Sequence, residues 1–188
     1  MMRMALPLLA AILLAGTAGA AATAPGWHSV ADGSRIGFVA RWQGTPVPGS
    51  FEQFSVQARF DPNHPAGGEI TVDIASASVH AQSADVTRAL RAPAWFDVQH
   101  YPQASFRSQK ILASGAHSVR VSGTLRIKGQ SRQVTFPLNF ASKGSRLILD
   151  GSLDLRRSDF GIGSGQWAGG KIIAIPVTVD FHVVLDPD

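Results

Sequence analysis

The sequence predicts an all-β protein of eight antiparallel strands in up-and-down order, with one short helix. Three observations carry this. Apolar and polar residues alternate through most of the chain after residue 33, which is the period of a strand with one buried face. Short clusters of turn residues separate the alternating runs, so successive strands are antiparallel neighbours. Only one stretch carries helix signals at both ends.

In chain order, Ile36, Phe38, Ala40 and Trp42 share one face of the first long run, after a short strand near residues 27–30 that pairs at one end. Phe54, Val56, Ala58 and Phe60 mark the second run, and Ile70, Val72 and Ile74 the third. The helix is expected over Ala84–Arg91, with Ser83 as N-cap and Pro93 ending it. Ala104, Phe106 and Ser108 open the fourth strand. Val119, Val121, Gly123, Leu125 and Ile127 define the fifth. Val134, Phe136, Leu138 and Phe140 form the sixth. Leu147, Leu149, Gly151, Leu153 and Leu155 form the seventh. The last runs from Ile173 through Val177, Phe181 and Leu185. Asp32-Gly33, the Pro- and Gly-rich residues 61–68, Lys128-Gly129 and Lys143-Gly144 supply the turns.

Eight such strands can close into a barrel and remove their exposed edges; the same alternation also fits a packed two-sheet sandwich. Gly123 and Gly151 fall on the inward face and are expected to leave space there. An outer-membrane barrel is disfavoured, because one Tyr cannot build aromatic girdles and the chain ends in Leu185-Asp186-Pro187-Asp188. Residues 83–102 and 159–170 read as loops yet hold Trp95, Phe96, Tyr101, Phe160 and Trp167, a pattern that suits a lid or a plug at a barrel end.

Residues 1–20 read as a signal peptide: Arg3 near the start, an apolar run too short to span a bilayer, and small residues leading to cleavage after Ala20 or, second, Ala22. Residues 21–188 are then one exported, periplasmic domain without stable membrane insertion. No Cys follows the run, and the chain has none at all, which rules out lipid anchoring, disulfides and thiolate chemistry. Loss of Arg3 lowers the formal charge from +4 to +3, and the remaining basic residues are scattered rather than striped, so no nucleic-acid partner is expected.

Motifs for catalysis fail on context. Gly163-Ser164-Gly165-Gln166-Trp167-Ala168 has dinucleotide spacing, but Gly169-Gly170 forbid the helix it needs. Gly161-Ile162-Gly163-Ser164-Gly165 places its Ser one position late for a nucleophile elbow. The six His are dispersed with no ligand-type spacing. No catalytic residue, metal site or cofactor is expected.

Four segments together resemble the YceI-like family of exported polyisoprenoid-binding proteins. They are residues 34–38 with 42–51, residues 90–98 leading into 101–108, Gly123-Thr124-Leu125-Arg126-Ile127-Lys128-Gly129, and Arg157-Ser158-Asp159-Phe160-Gly161-Ile162-Gly163. Val86-Thr87-Arg88-Ala89-Leu90 departs from the family's usual helix. The resemblance implies a lipocalin-like barrel that holds a polyisoprenoid or similar long-chain amphiphile, such as an isoprenoid quinone or fatty amide, in an apolar lumen. Partners known in the family add a membrane b-type cytochrome; an exported enzyme acting on a lipid-like substrate is the other alternative. The residues expected at the ligand are Phe38, Trp42, Trp95, Phe96, Phe106, Leu125, Phe136, Phe140, Leu155, Phe160 and Trp167. Arg157 is expected either to meet a head group or to pin its loop through Asp159 or backbone carbonyls.

Overall fold

Eleven strands appear in the computed structural model, which describes residues 24–188; the expected signal peptide lies outside them. They are β1 (Gly26–Ser29), β2 (Arg35–Trp42), β3 (Thr45–Phe51), β4 (Phe54–Arg59), β5 (Glu69–Ala75), β6 (Val79–Ala81), β7 (Gln103–Gly115), β8 (Ser118–Ile127), β9 (Gln130–Lys143), β10 (Arg146–Arg156) and β11 (Pro176–Pro187). The first six are three interrupted pairs. β1 and β4 are paired as β2 and β3 are, and β4–β5 continues as β3–β6. Both β1 and β2 pair with β11. The chain therefore forms eight antiparallel staves, the first three kinked, closed by β11 onto the first. These correspond to the eight alternating runs of the sequence.

Serine hydroxyls mend the ladder at its breaks. Ser29 Oγ accepts from Val56 N at 2.9 Å, Ser34 Oγ from Val184 N at 2.9 Å, and Ser108 Oγ from Ile70 N at 2.8 Å beside the bulge in β7. Each satisfies a backbone donor that the interrupted strand leaves without a partner.

Two segments escaped the alternation rule. β3 reads Thr-Pro-Val-Pro-Gly-Ser-Phe, and proline normally argues against a strand. The hairpin closing on Trp42↔Thr45 directs odd-numbered residues of β3 toward β2, so Pro46 and Pro48 present their missing N–H groups to the other side. There β6 covers only residues 49–51, and the prolines sit where no ladder is lost. Short β6 is likewise invisible to a period-two pattern. At the carboxyl end, β11 starts at Pro176 rather than at Ile173, which forms only an isolated bridge with Trp42.

Helix α1 (Ala84–Arg91) has the expected limits. Ser83 Oγ accepts from Val86 N at 3.2 Å, and Ala92 leaves the helix in extended conformation before Pro93. Its Leu90 packs with Val79 and Ala81 and against Phe38, Phe51, Trp95 and Phe96 at one end of the barrel. The opposite end is solid. Phe60, Leu138, Leu147, Leu185 and Val119 are fully enclosed there, and Trp27 Nε1 donates to Phe60 O at 2.7 Å across the base.

Candidate ligand-binding cavity

Between the solid base and the helix end lies an internal cavity of about 190 Å³. On β10 alone it extends from Leu149 to Leu155, six residues and roughly 20 Å along the strand, so the space is long and narrow. Every wall side chain but one, Arg157, is apolar. Inward residues of the upper barrel (Leu125, Val134, Leu153, Leu155, Val177 and Val179) remain only half-buried because they face this space rather than a packed neighbour. A cavity with such an apolar lining binds apolar molecules of matching shape.

The inward glycines do not create the space as expected. A Cβ at Gly123 would lie 2.7 Å from Phe106 Cζ, and one at Gly151 would overlap Phe181. Phe38 lies over Gly49 in the same way. Three phenylalanine rings thus lie flat on neighbouring glycines, which lines the wall with aromatic faces and keeps the rings out of the centre. Phe136 ties two of these rings together, 5.4 Å from Phe106 and 5.8 Å from Phe181 between centroids.

One seam of the barrel is unzipped. β9 and β10 pair from Lys143↔Arg146 only as far as Leu138↔Gly151. In that register the odd-numbered residues of β9 bond toward β10, and the next donor in line would be Pro137, which has no N–H. Above it the strands part, although β8 and β9 stay paired through Ile127↔Gln130. The seam runs beside Val134, Phe136, Leu153 and Leu155, all of them on the cavity wall.

The two aromatic loops form the upper rim and are joined to each other. Ala94 O accepts from Gly163 N at 2.8 Å and Ser164 N at 2.9 Å. Lys128, at positive φ in the β8–β9 turn, donates through Nζ to Pro93 O at 2.7 Å and Gly161 O at 3.0 Å. Burial pulls the Lys128 ammonium below its ordinary range, partly offset by the nearby Asp97 carboxylate. Arg157, 4 % exposed, opens a 3₁₀ turn and holds the rest of its loop. Its Nε donates to Ala174 O at 3.0 Å and Nη1 to Ile162 O and Gly163 O at 2.8 and 3.0 Å. Nη2 donates to Trp167 O and Ile173 O at 2.6 and 2.7 Å. All five guanidinium donors are engaged by carbonyls. The head-group alternative for Arg157 is therefore set aside in favour of the pin, made with carbonyls rather than with Asp159. Desolvation lowers its pKa. The rim is a stitched cap rather than a free lid.

Of the residues expected at the ligand, Phe38, Trp95, Phe96, Phe106, Leu125, Phe136, Leu155, Phe160 and Arg157 lie on the cavity wall. Three lie off it. Trp42 ends β2 at the rim and is 45 % exposed, because the hairpin turn follows at once and its pairing partner Ile173 belongs to the loop. Trp167 lies between Trp42 and Trp95 in tilted contacts, with centroids 6.2 and 6.1 Å away. Phe140 faces inward but sits in the solid base, 5.0 Å from Phe60 and 5.9 Å from His117. Wall residues passed over include Phe51, on the strand hidden by prolines, and Leu90 and Ile162 from the helix and loop. Val177 and Val179 were legible as inward by alternation alone.

Residues 27–185 match the YceI-like domain. The chain belongs to the YceI-like family. Among solved structures, this YceI-like protein is similar to Burkholderia cenocepacia BcnA, at 34 % identity and a TM-score of 0.81 over 83 % of this chain and 98 % of that one. A polyisoprenoid-binding domain from Saccharophagus degradans, implicated in plant cell wall breakdown, shares the fold at 19 % identity and a TM-score of 0.70, covering 86 % of this chain and 98 % of that domain. A UPF0312 protein of Pseudomonas putida (strain W619) is 28 % identical over 140 residues, 71 % of this chain and 72 % of the relative. The closed eight-stave antiparallel barrel with one short helix is the architecture that the YceI-like resemblance implied. Among the described residues no cluster of three or more His, Cys, Asp or Glu could hold a metal ion.

Proposed function

We propose that the protein is a periplasmic carrier that holds a polyisoprenoid, or another long-chain amphiphile such as an isoprenoid quinone or fatty amide, in the barrel cavity. The observation that carries this is the shape and chemistry of the wall. It is apolar along roughly 20 Å of β10, and its one charged residue has every donor engaged. A slender apolar chain fits such a space; a polar ligand would leave hydrogen-bonding groups unpaired. Membership in the YceI-like family and the likeness to a polyisoprenoid-binding domain support the same reading. An enzyme acting on the bound chain would need a nucleophile or proton carrier on the wall, and Arg157 is neither. Export by cleavage after Ala20 supplies the compartment.

The test is mass spectrometry of organic extracts from protein recovered by osmotic shock, with the amino terminus read on the same sample. The expected result is a near-stoichiometric long-chain lipid on a chain starting at Ala21 or Thr23. Empty protein that also fails to take up an isoprenoid quinone from micelles would overturn the carrier. A chain still starting at Met1 in the membrane fraction would overturn export.

A further inference from the structure

We infer that the cavity rim is a docking surface for an anionic phospholipid membrane. Three of the four tryptophans form a row from solvent to the cavity: Trp42 is 45 % exposed, Trp167 meets it in a tilted contact, and Trp95 meets Trp167 likewise and reaches the wall. The fourth, Trp27, is at the opposite end, bonded to Phe60 O. Ile172 is 39 % exposed in the segment that pairs with this rim, where Gln43 N donates to Ile172 O at 2.8 Å and Ala174 N to Arg41 O at 2.9 Å. Two of the three large apolar side chains that stand exposed among the described residues, Trp42 and Ile172, are thus brought to one place; the third, Leu112, is on β7.

The same contacts bring the flanking charges together. Arg41 precedes Trp42, Lys171 precedes Ile172, and Arg156 is paired with Pro176 on the adjoining stave. All three are exposed; of the carboxylates beside them, Asp159 lies 3.9 Å from Arg156, and Asp154, two residues before Arg156 on the same face of β10, accepts from Thr178 Oγ1 at 2.6 Å. Indole rings prefer the level of lipid head groups, and flanking cations are drawn to anionic lipid. The inference goes beyond the carrier reading, since it stands on the outer rim whatever the cavity holds. Its consequence for that reading is that a lipid could pass between membrane and cavity along the tryptophan row without crossing water.

The test uses the chain beginning at Ala21, the form expected after export, which contains all of the described residues 24–188. That protein is sedimented with vesicles of phosphatidylglycerol and phosphatidylcholine in equal parts, and with pure phosphatidylcholine. Brominated phospholipid serves as a quencher of tryptophan. Expected are binding to the anionic vesicles that fades with salt, quenching lost in Trp42→Phe, and weakened binding in Trp42→Ser with Ile172→Ser. Arg41→Gln with Lys171→Gln should weaken anionic binding by about 25-fold, at about fivefold for each charge near the surface. An unchanged melting temperature in the charge pair shows that the fold is intact. Equal binding by wild type and the two double variants, or equal binding to neutral and anionic vesicles, would overturn the docking surface. Quinone uptake from micelles is measured on the same proteins. Docking without uptake defeats the carrier alone, and uptake without docking defeats this inference alone.

Discussion

Leu147→Ala and Leu155→Ala form a matched pair, since both leucines point inward from β10. Leu147 is fully enclosed in the base, whereas Leu155 is half-buried on the cavity wall. In a tight core, Leu→Ala costs ~2.7–5 kcal/mol, because lost transfer energy is joined by the cavity left behind. Leu147 should fall in that range. Leu155 already borders a void, so its truncation enlarges a space instead of opening one. Burying a leucine fully gains ~1.5–3 kcal/mol, and half of that gives a cost of about 1 kcal/mol. For a domain of this size each kcal/mol moves the melting temperature by ~2–4 °C. The expected shifts in ligand-free protein are therefore ~5–20 °C for Leu147→Ala and ~2–4 °C for Leu155→Ala, by thermal unfolding followed by circular dichroism. Equal and large losses at both sites would show that the upper barrel is packed solid, and the cavity argument would fail.

Arg157→Lys leaves three donors for five buried or part-buried carbonyls, and two orphans at ~1–3 kcal/mol each predict a loss of ~2–6 kcal/mol in urea unfolding; a change under ~0.5 kcal/mol would refute the pin. Gly151→Ala forces Phe181 off its seat, with an overpacking cost of ~1–3 kcal/mol and a shifted Phe181 ring in a crystal structure; an unmoved ring with full stability would contradict the contact. Burial lowers the folded-state pKa of Lys128 below the unfolded value of 10.5, so the penalty for its charge is fully present at neutral pH. That penalty is released as pH rises from the folded toward the unfolded value, so this group's contribution to stability climbs across that window. Nitrogen-detected NMR should show Lys128 titrating below 10.5, and a value at or above 10.5 would reverse the sign.

Alternation made all eight staves legible, because each stave has one face toward the interior and one toward water. It reports which face a residue takes but not its height in the barrel. Phe140 and Leu155 therefore looked alike, though one is core and the other wall. Trp42 had the right parity for the interior yet sits where β2 ends, and a strand's last residue is governed by the turn that follows. Ser83, Pro93 and the helix between them needed only local chemistry, and so were read to the residue. Pro46 and Pro48 hid β3, since their tolerance depends on which edge is covered, a property of neighbours remote in sequence. The seam above Pro137 follows from hairpin parity, but only once the partner strand is known. The five acceptors of Arg157 lie between residues 162 and 174, in a loop whose path no periodicity describes.

That last cluster has a counterpart in calcium-binding loops, where carbonyl and carboxylate oxygens converge on an ion taken from solution. Here the ion is a guanidinium tethered to the chain by its own side chain, and the coordinating shell contains no carboxylate. This cross-link itself needs no metal and resists chelators. With no cysteine in the chain, it is equally indifferent to the redox poise of its surroundings. A loop held by a disulfide or a divalent cation can lose that hold to its surroundings; this one carries a cross-link as part of the sequence.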